Sequence, residues 1–387
     1  MMVVLSLLLA QPLGLQQALA RARAANPELA AARQSVRVGE AVVEGAGQLI
    51  NPTFIASHGP DDPVNSATLD VRAPIFGQRG TAIEAAEREV DVQRAAQRAL
   101  ELRVLALVRR AYFALAAAQV RAGLAEGAVS LAREFETRIE AKVSSGSAPL
   151  LDLLQARLAR RRAEQERDDR LAALLTAREE LGRLIGERDN AQLEAADPLL
   201  PVPEPPTLDQ LAGAAGQHPE VQSRLRERDA ALARADRERA AVRPIPDFAL
   251  TLEDLRSRTS IGLRAGIAFD LPLLSWNRGH VHEQQAQAEL SSIQARGALE
   301  RLRSEVRAAW ARWHAAAARA RSYAGDIVPA SERLERMARE AYELGRAPLL
   351  TVLQARADLN SAHALATDAA EGAQRALADL EEASGGF

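Results

Sequence analysis

The residues best suited to chemistry are few, and their spacing serves it poorly. His280 and His282 invite a metal reading, but side chains two apart on a helix point away from each other and make poor co-ligands. They read as solvated histidines at a helix start, and no metal site is assigned. There is no cysteine, which removes disulfides, thiolate metal sites and a lipidated amino-terminal cysteine. No serine has a histidine and an acid recognisably arranged with it. No glycine-rich phosphate loop or HExxH motif occurs. Catalytic residues and cofactors are therefore read as none, and the chain is not read as an enzyme.

The charged residues point elsewhere. The run "RRRAEQERDDR" from Arg160 mixes signs, which suits a wetted helix face or a tunnel wall better than a nucleic-acid or lipid patch. The net charge of −3 argues against a general nucleic-acid binder. Aromatics are 3% of residues and charged residues 26%, with Ala and Leu supplying most of the apolar share. That composition suits long, closely packed helices rather than a bulky compact core. No apolar run reaches ~18 residues, so no transmembrane helix is expected. Residues 1–12 are a candidate signal segment. They carry an apolar stretch from Val3 to Ala10 but no basic residue ahead of it and no A-x-A site, and a truncated or mis-started amino terminus is the rival reading.

The elements that must position any functional residue are written twice. "SGSAPLLDLLQAR" from Ser145 returns as "LGRAPLLTVLQAR" from Leu344, "ANPELAAAR" from Ala25 as "QHPEVQSRL" from Gln217, and "DVRAPIFGQRG" as "FDLPLLSWNRG". Tyr112 and Trp310 occupy matching positions, with Phe113 and Trp313 beside them, and read as interhelical packing. Two copies follow, 13–188 and 207–384, joined by a proline-rich linker at 189–206 that cannot be helical. Each copy holds a helix, a β-hairpin (51–76 and 247–273), a long helix, a tip (144–150 and 343–349) and a return helix. No proline interrupts Gly80 to Gly146, whereas Pro329 should kink or interrupt its counterpart. Leu171, Leu174, Leu175, Leu181, Leu184 and Ile185 give the first return helix a seam.

The hairpins supply the functional clue. Apolar and polar residues alternate along "ATLDVRAPIF" and "SIGLRAGIAFDL". Two hairpins with nothing to pack on are marginal in water, whereas an apolar-out, polar-in wall suits a transmembrane barrel. The lipid-facing candidates are Phe54, Leu69, Val71, Leu250, Ile261, Leu263 and Ile267. Trp276, at a strand end, is either an interfacial anchor or a packing residue. Four strands cannot close a barrel, so copies must pool their hairpins into a homo-oligomer. The rival reading is a soluble coiled-coil scaffold, which would not need the hairpins.

This doubled order resembles the TolC family of outer-membrane efflux channels, and "LPLLSWNRG" and "APIFGQRG" are similar to junctions of its cobalt–zinc–cadmium resistance branch. The resemblance covers nearly the whole chain. It implies a mainly α fold of long antiparallel helical hairpins, with four strands per chain in a homotrimeric, 12-stranded barrel. It places the protein in the outer membrane of a Gram-negative bacterium, in contact with its lipid, with most of the chain in the periplasm. Its implied partners are a periplasmic adaptor and an inner-membrane resistance–nodulation–division pump; nucleic acid is not one. Its implied role is a passive exit duct for heavy-metal cations or small toxic compounds. Adaptor contact is expected at the tips: Ser145, Gly146, Ser147, Ala148, Pro149, Leu150 and Leu151 in the first copy, Gly345, Arg346, Ala347, Pro348, Leu349 and Leu350 in the second. The alternative is that the tip leucines pack across their own hairpins. Asp152, Thr351 and Gln354 are the candidate pore constriction, with Asp152 equally able to pair with an arginine.

Overall fold

A computed structural model describes residues 12–60, 63–188, 190–254 and 261–387. The candidate signal, all but its last residue, and the loop expected at 255–260 lie outside these, as do residues 61 and 62 of the other hairpin loop. The chain forms two compact units, one of Met1–Ala30, Leu100–Ala215 and Arg301–Phe387, the other of Ala31–Ala99 and Gly216–Glu300.

The first unit is helical. It holds α1 (Leu15–Ala25), the carboxy-terminal part of α3 (Gln78–Ser144), α4 (Leu150–Ile185) and the short α5 (Leu208–Ala214). With them are the end of α7 (Arg278–Ser322), α8 (Val328–Glu343) and α9 (Leu349–Ser384). The 67 residues of α3 contain no proline and are rich in Ala, Leu, Arg and Glu, all strong helix formers. A π-helical turn, Tyr323–Ile327, separates α7 from α8, and Pro329 sits in the first turn of α8. Proline has no N–H to give to the preceding turn, so the helix changes register just ahead of it.

One core of this unit gathers Leu29, Val104, Val108, Tyr112, Leu181 and Ile185, and each aliphatic side chain so buried contributes about 1.5–3 kcal/mol. Leu171 and Leu174 of the expected seam pack here, but Leu175 is 56% exposed. The fully buried Tyr112 holds the irregular segments on this core. Its single hydroxyl proton is shared between Leu13 O and Asp197 Oδ2, each 2.8 Å away, and its oxygen accepts from the N–H groups of Ala196 and Asp197. Burial, with the Asp197 charge beside it, pushes the Tyr112 pKa up to about 12. Arginines tie α3 to α9: Arg109 to Glu381 at 2.7 Å, and Arg121 to both Asp368 and Glu371 at 2.6 Å.

The second unit holds α2 (Pro27–Gly47) from Ala31, the start of α3, α6 (Pro219–Ala241), the start of α7 and one sheet. Strands β1 (Thr53–His58), β2 (Asn65–Arg72), β3 (Asp247–Asp254) and β4 (Ile261–Ala268) are antiparallel neighbours in that order. The two hairpins lie side by side because β2 pairs with β3 along its whole length. Strands reach further into the first loop than alternation suggests, since Ser57 bonds Ser66 at 2.7 Å and His58 bonds Asn65 at 2.8 Å across it.

Candidate functional site

Residues directly opposite in a sheet share a face, so the register assigns every strand residue. One row runs Phe54–Leu69–Leu250–Ala265, the next Ala56–Ala67–Leu252–Leu263, and a third Val71–Phe248–Ile267. All seven lipid-facing candidates therefore fall on one face. A last row, His58–Asn65–Asp254–Ile261, puts Ile261 beside a polar group in which Asn65 donates to Asp254 at 3.2 Å. The opposite face carries Thr68 bonded to Thr251 at 3.0 Å, and Arg264 bonded to Glu253 at 3.0 Å. Phe248 and Leu252 share the apolar face but were not among the sequence candidates; the Phe248, Leu250, Leu252 alternation was the signal for them.

The ends of β2 and β4 lead into two cross-tied junctions. Arg243 Nη1 donates to Phe76 O at 2.7 Å, and Gln78 donates to Arg243 O at 3.1 Å. Asn277, at φ 52°, donates to Glu238 Oε2 at 2.6 Å just before α7. Between β4 and that cap, Leu271, Leu273, Leu274 and Trp276 are all exposed, Leu274 at 99%. The apolar run in "DLPLLSW" was the available sign of this patch. His280 and His282 follow it, both exposed, with His280 at 3.4 Å from Glu283.

The tips belong to the helical unit. Gly146 (φ 74°) and Gly345 (φ 70°) adopt the left-handed conformation that glycine accepts without strain. In each tip two bonds close the preceding helix. Gly146 N–H reaches Val143 O and Ser147 N–H reaches Lys142 O; Gly345 N–H reaches Tyr342 O and Arg346 N–H reaches Ala341 O. Pro149 and Pro348 are the caps of α4 and α9 rather than their first helical residues. Ser145, Ser147, Leu150, Leu151, Arg346 and Leu350 are exposed, while Ala148 and Ala347 are half-buried. Leu349 is 4% exposed and packs with Ile139, Leu153 and Ala156, so this one tip leucine points inward.

Asp152 is half-buried in the first turn of α4, and its charge adds to burial in raising the Tyr342 pKa. Lys142 Nζ stands 4.7 Å over the Tyr342 ring. Thr351 and Gln354 are exposed on α9, and Gln354 lines a cavity of about 620 Å³ with Gln155, Arg162 and Arg356. Burial lowers the pKa of Arg356.

An antiparallel sheet with a largely apolar face, in a chain of long helical hairpins, is an arrangement suited to a membrane channel subunit. The chain belongs to the outer membrane efflux protein family, whose model matches residues 18–187 and 211–386. It is accordingly a protein of the outer membrane. It is 25% identical over 356 residues to the cobalt-zinc-cadmium resistance protein CzcC of Cupriavidus metallidurans, covering 90% of this chain and 84% of that one. Among solved structures, CusC superposes with a TM-score of 0.76 at 18% identity, over 96% of this chain and 92% of that one. The outer membrane protein VceC of Vibrio cholerae does so with 0.75 at 18% identity, over 96% of each chain.

Proposed function

We propose that the protein is the exit duct of a tripartite efflux system, conducting heavy-metal cations passively to the outside. The single observation that carries this reading is the sheet: two successive rows of one face are apolar across all four strands, and β1 and β4 have no second strand neighbour among the described residues. Open edges cannot stand in hydrocarbon, so copies pool their strands into one closed barrel, and membership of the efflux family supports three copies and twelve strands. The polar face then lines the lumen, and the sequence similarity to CzcC supports divalent cations as cargo. In this reading the exposed tip residues meet a periplasmic adaptor fed by an inner-membrane pump, and Asp152, Thr351 and Gln354 stand at the entrance. The two copies, 13–188 and 207–384, are halves of one duplicated unit.

The test is deletion and complementation in cells that hold the adaptor and pump. Tolerance to cobalt, zinc and cadmium should fall on deletion and return with the wild-type chain, and the chain should fractionate with outer membrane. Unchanged tolerance to all three cations overturns the cargo; recovery in the soluble fraction overturns the duct.

A further inference from the structure

We propose that the two strand-to-helix junctions form a collar that binds anionic phospholipid in the headgroup zone of the periplasm-facing leaflet. This rests on the lipid-facing assignment of the sheet. Three observations carry it. The first is exposure: Phe76, Leu271, Leu273, Leu274 and Trp276 stand 47%, 66%, 76%, 99% and 57% exposed, in the segments that follow β2 and β4. Contiguous large apolar groups on a surface mark a site of contact.

The second is backbone. Residues 271–277 belong to neither strand nor helix, and irregular backbone cannot face hydrocarbon, where its N–H and C=O groups would go unsatisfied. The headgroup zone supplies water and phosphate, so the leucines and Trp276 reach the acyl boundary while their backbone stays wet. That sets the depth of the collar.

The third is charge. Arg79, Arg243 and Arg278 have no carboxylate within 4.0 Å among the described residues, unlike Arg72, held by Asp247 at 3.5 Å and Asp270 at 3.4 Å. Arg243 lies against the exposed Phe76 through its backbone oxygen, and Arg278 follows Trp276 by two residues. A guanidinium held on the backbone of an exposed apolar segment, as Arg243 is at Phe76, matches a phosphate above an acyl chain. Unpaired cations favour an anionic headgroup over a zwitterionic one.

The chain has three tryptophans, so Trp310→Phe with Trp313→Phe leaves Trp276 as sole reporter. This variant is reconstituted in vesicles containing brominated phosphatidylglycerol or, at equal fraction, brominated phosphatidylethanolamine. Trp276 should be quenched in both, with apparent affinity about fivefold higher for the anionic lipid. Arg79→Gln with Arg278→Gln should bring that ratio close to one. Equal quenching by the two lipids, or a ratio unmoved by the double variant, overturns anionic selectivity. Absence of quenching in protein that floats with the vesicles overturns the collar while leaving the barrel intact. Protein that fails to float overturns the lipid-facing assignment and the collar together.

Discussion

Tyr112 and Leu263 make opposite demands on their surroundings. The Tyr112 hydroxyl has four polar partners in a buried site, and burial disfavours its phenolate. Its pKa is raised from 10.0 to about 12, so its contribution to stability is complete below pH 10 and is lost as pH rises through about 12. Helical melting of the detergent-purified protein should weaken over that window. Tyr112→Phe should remove this part of the pH dependence and cost about 1–3 kcal/mol, since its buried partners lose a bond; an unchanged melting profile contradicts the assignment. Leu263 needs lipid. Leu263→Arg at mid-bilayer should cost about 2–4 kcal/mol and suppress assembly in the outer membrane. Gly262→Arg, opposite Glu253 on the polar face, should assemble. Equal loss in both, or loss only in the second, reverses the faces. Period-two alternation made Leu263 legible in the sequence. Tyr112 was legible as packing only, because its partners Leu13 and Asp197 are remote in the chain and no local pattern announces them.

At the scale of elements, the tips follow from local rules. Both glycines take positive φ, and a Cβ at either would meet nothing within 4 Å, so substitution costs backbone strain, about 1–2 kcal/mol each, rather than a collision. The strain is local, so Gly146→Val with Gly345→Val should leave assembly and membrane insertion intact, and with the tips as the proposed adaptor contact it should abolish efflux. Normal export, or failure to assemble, removes the tips from the docking role. Thr351→Asp should strengthen cation preference or divalent block in planar-bilayer recordings, because carboxylates in a narrow entrance concentrate cations; unchanged permeability ratios place Thr351 off the pore. Pro329 was legible as an interruption, but the π-helical turn ahead of it was not, since no residue type specifies that turn. Inward Leu349 and exposed Leu350 were equally hidden: both copies read "APLL", and which leucine turns inward depends on packing with Ile139 and Leu153.

For the whole molecule, the mainly helical class with four strands was legible because the two periodicities, 3.6 and 2, separate cleanly along the chain. The pairing of β2 with β3 was not, since the strands lie 174 residues apart (247 − 73) and nothing local links them. That pairing makes one four-stranded sheet per chain, largely apolar on a single face and, among the described residues, open at β1 and β4. The central claim is that this sheet is one third of a closed barrel. Native mass spectrometry of the channel extracted from outer membrane tests it most directly. A particle of three copies is the predicted result. A particle of one or two copies, under conditions that keep it folded and competent for reinsertion, would contradict it.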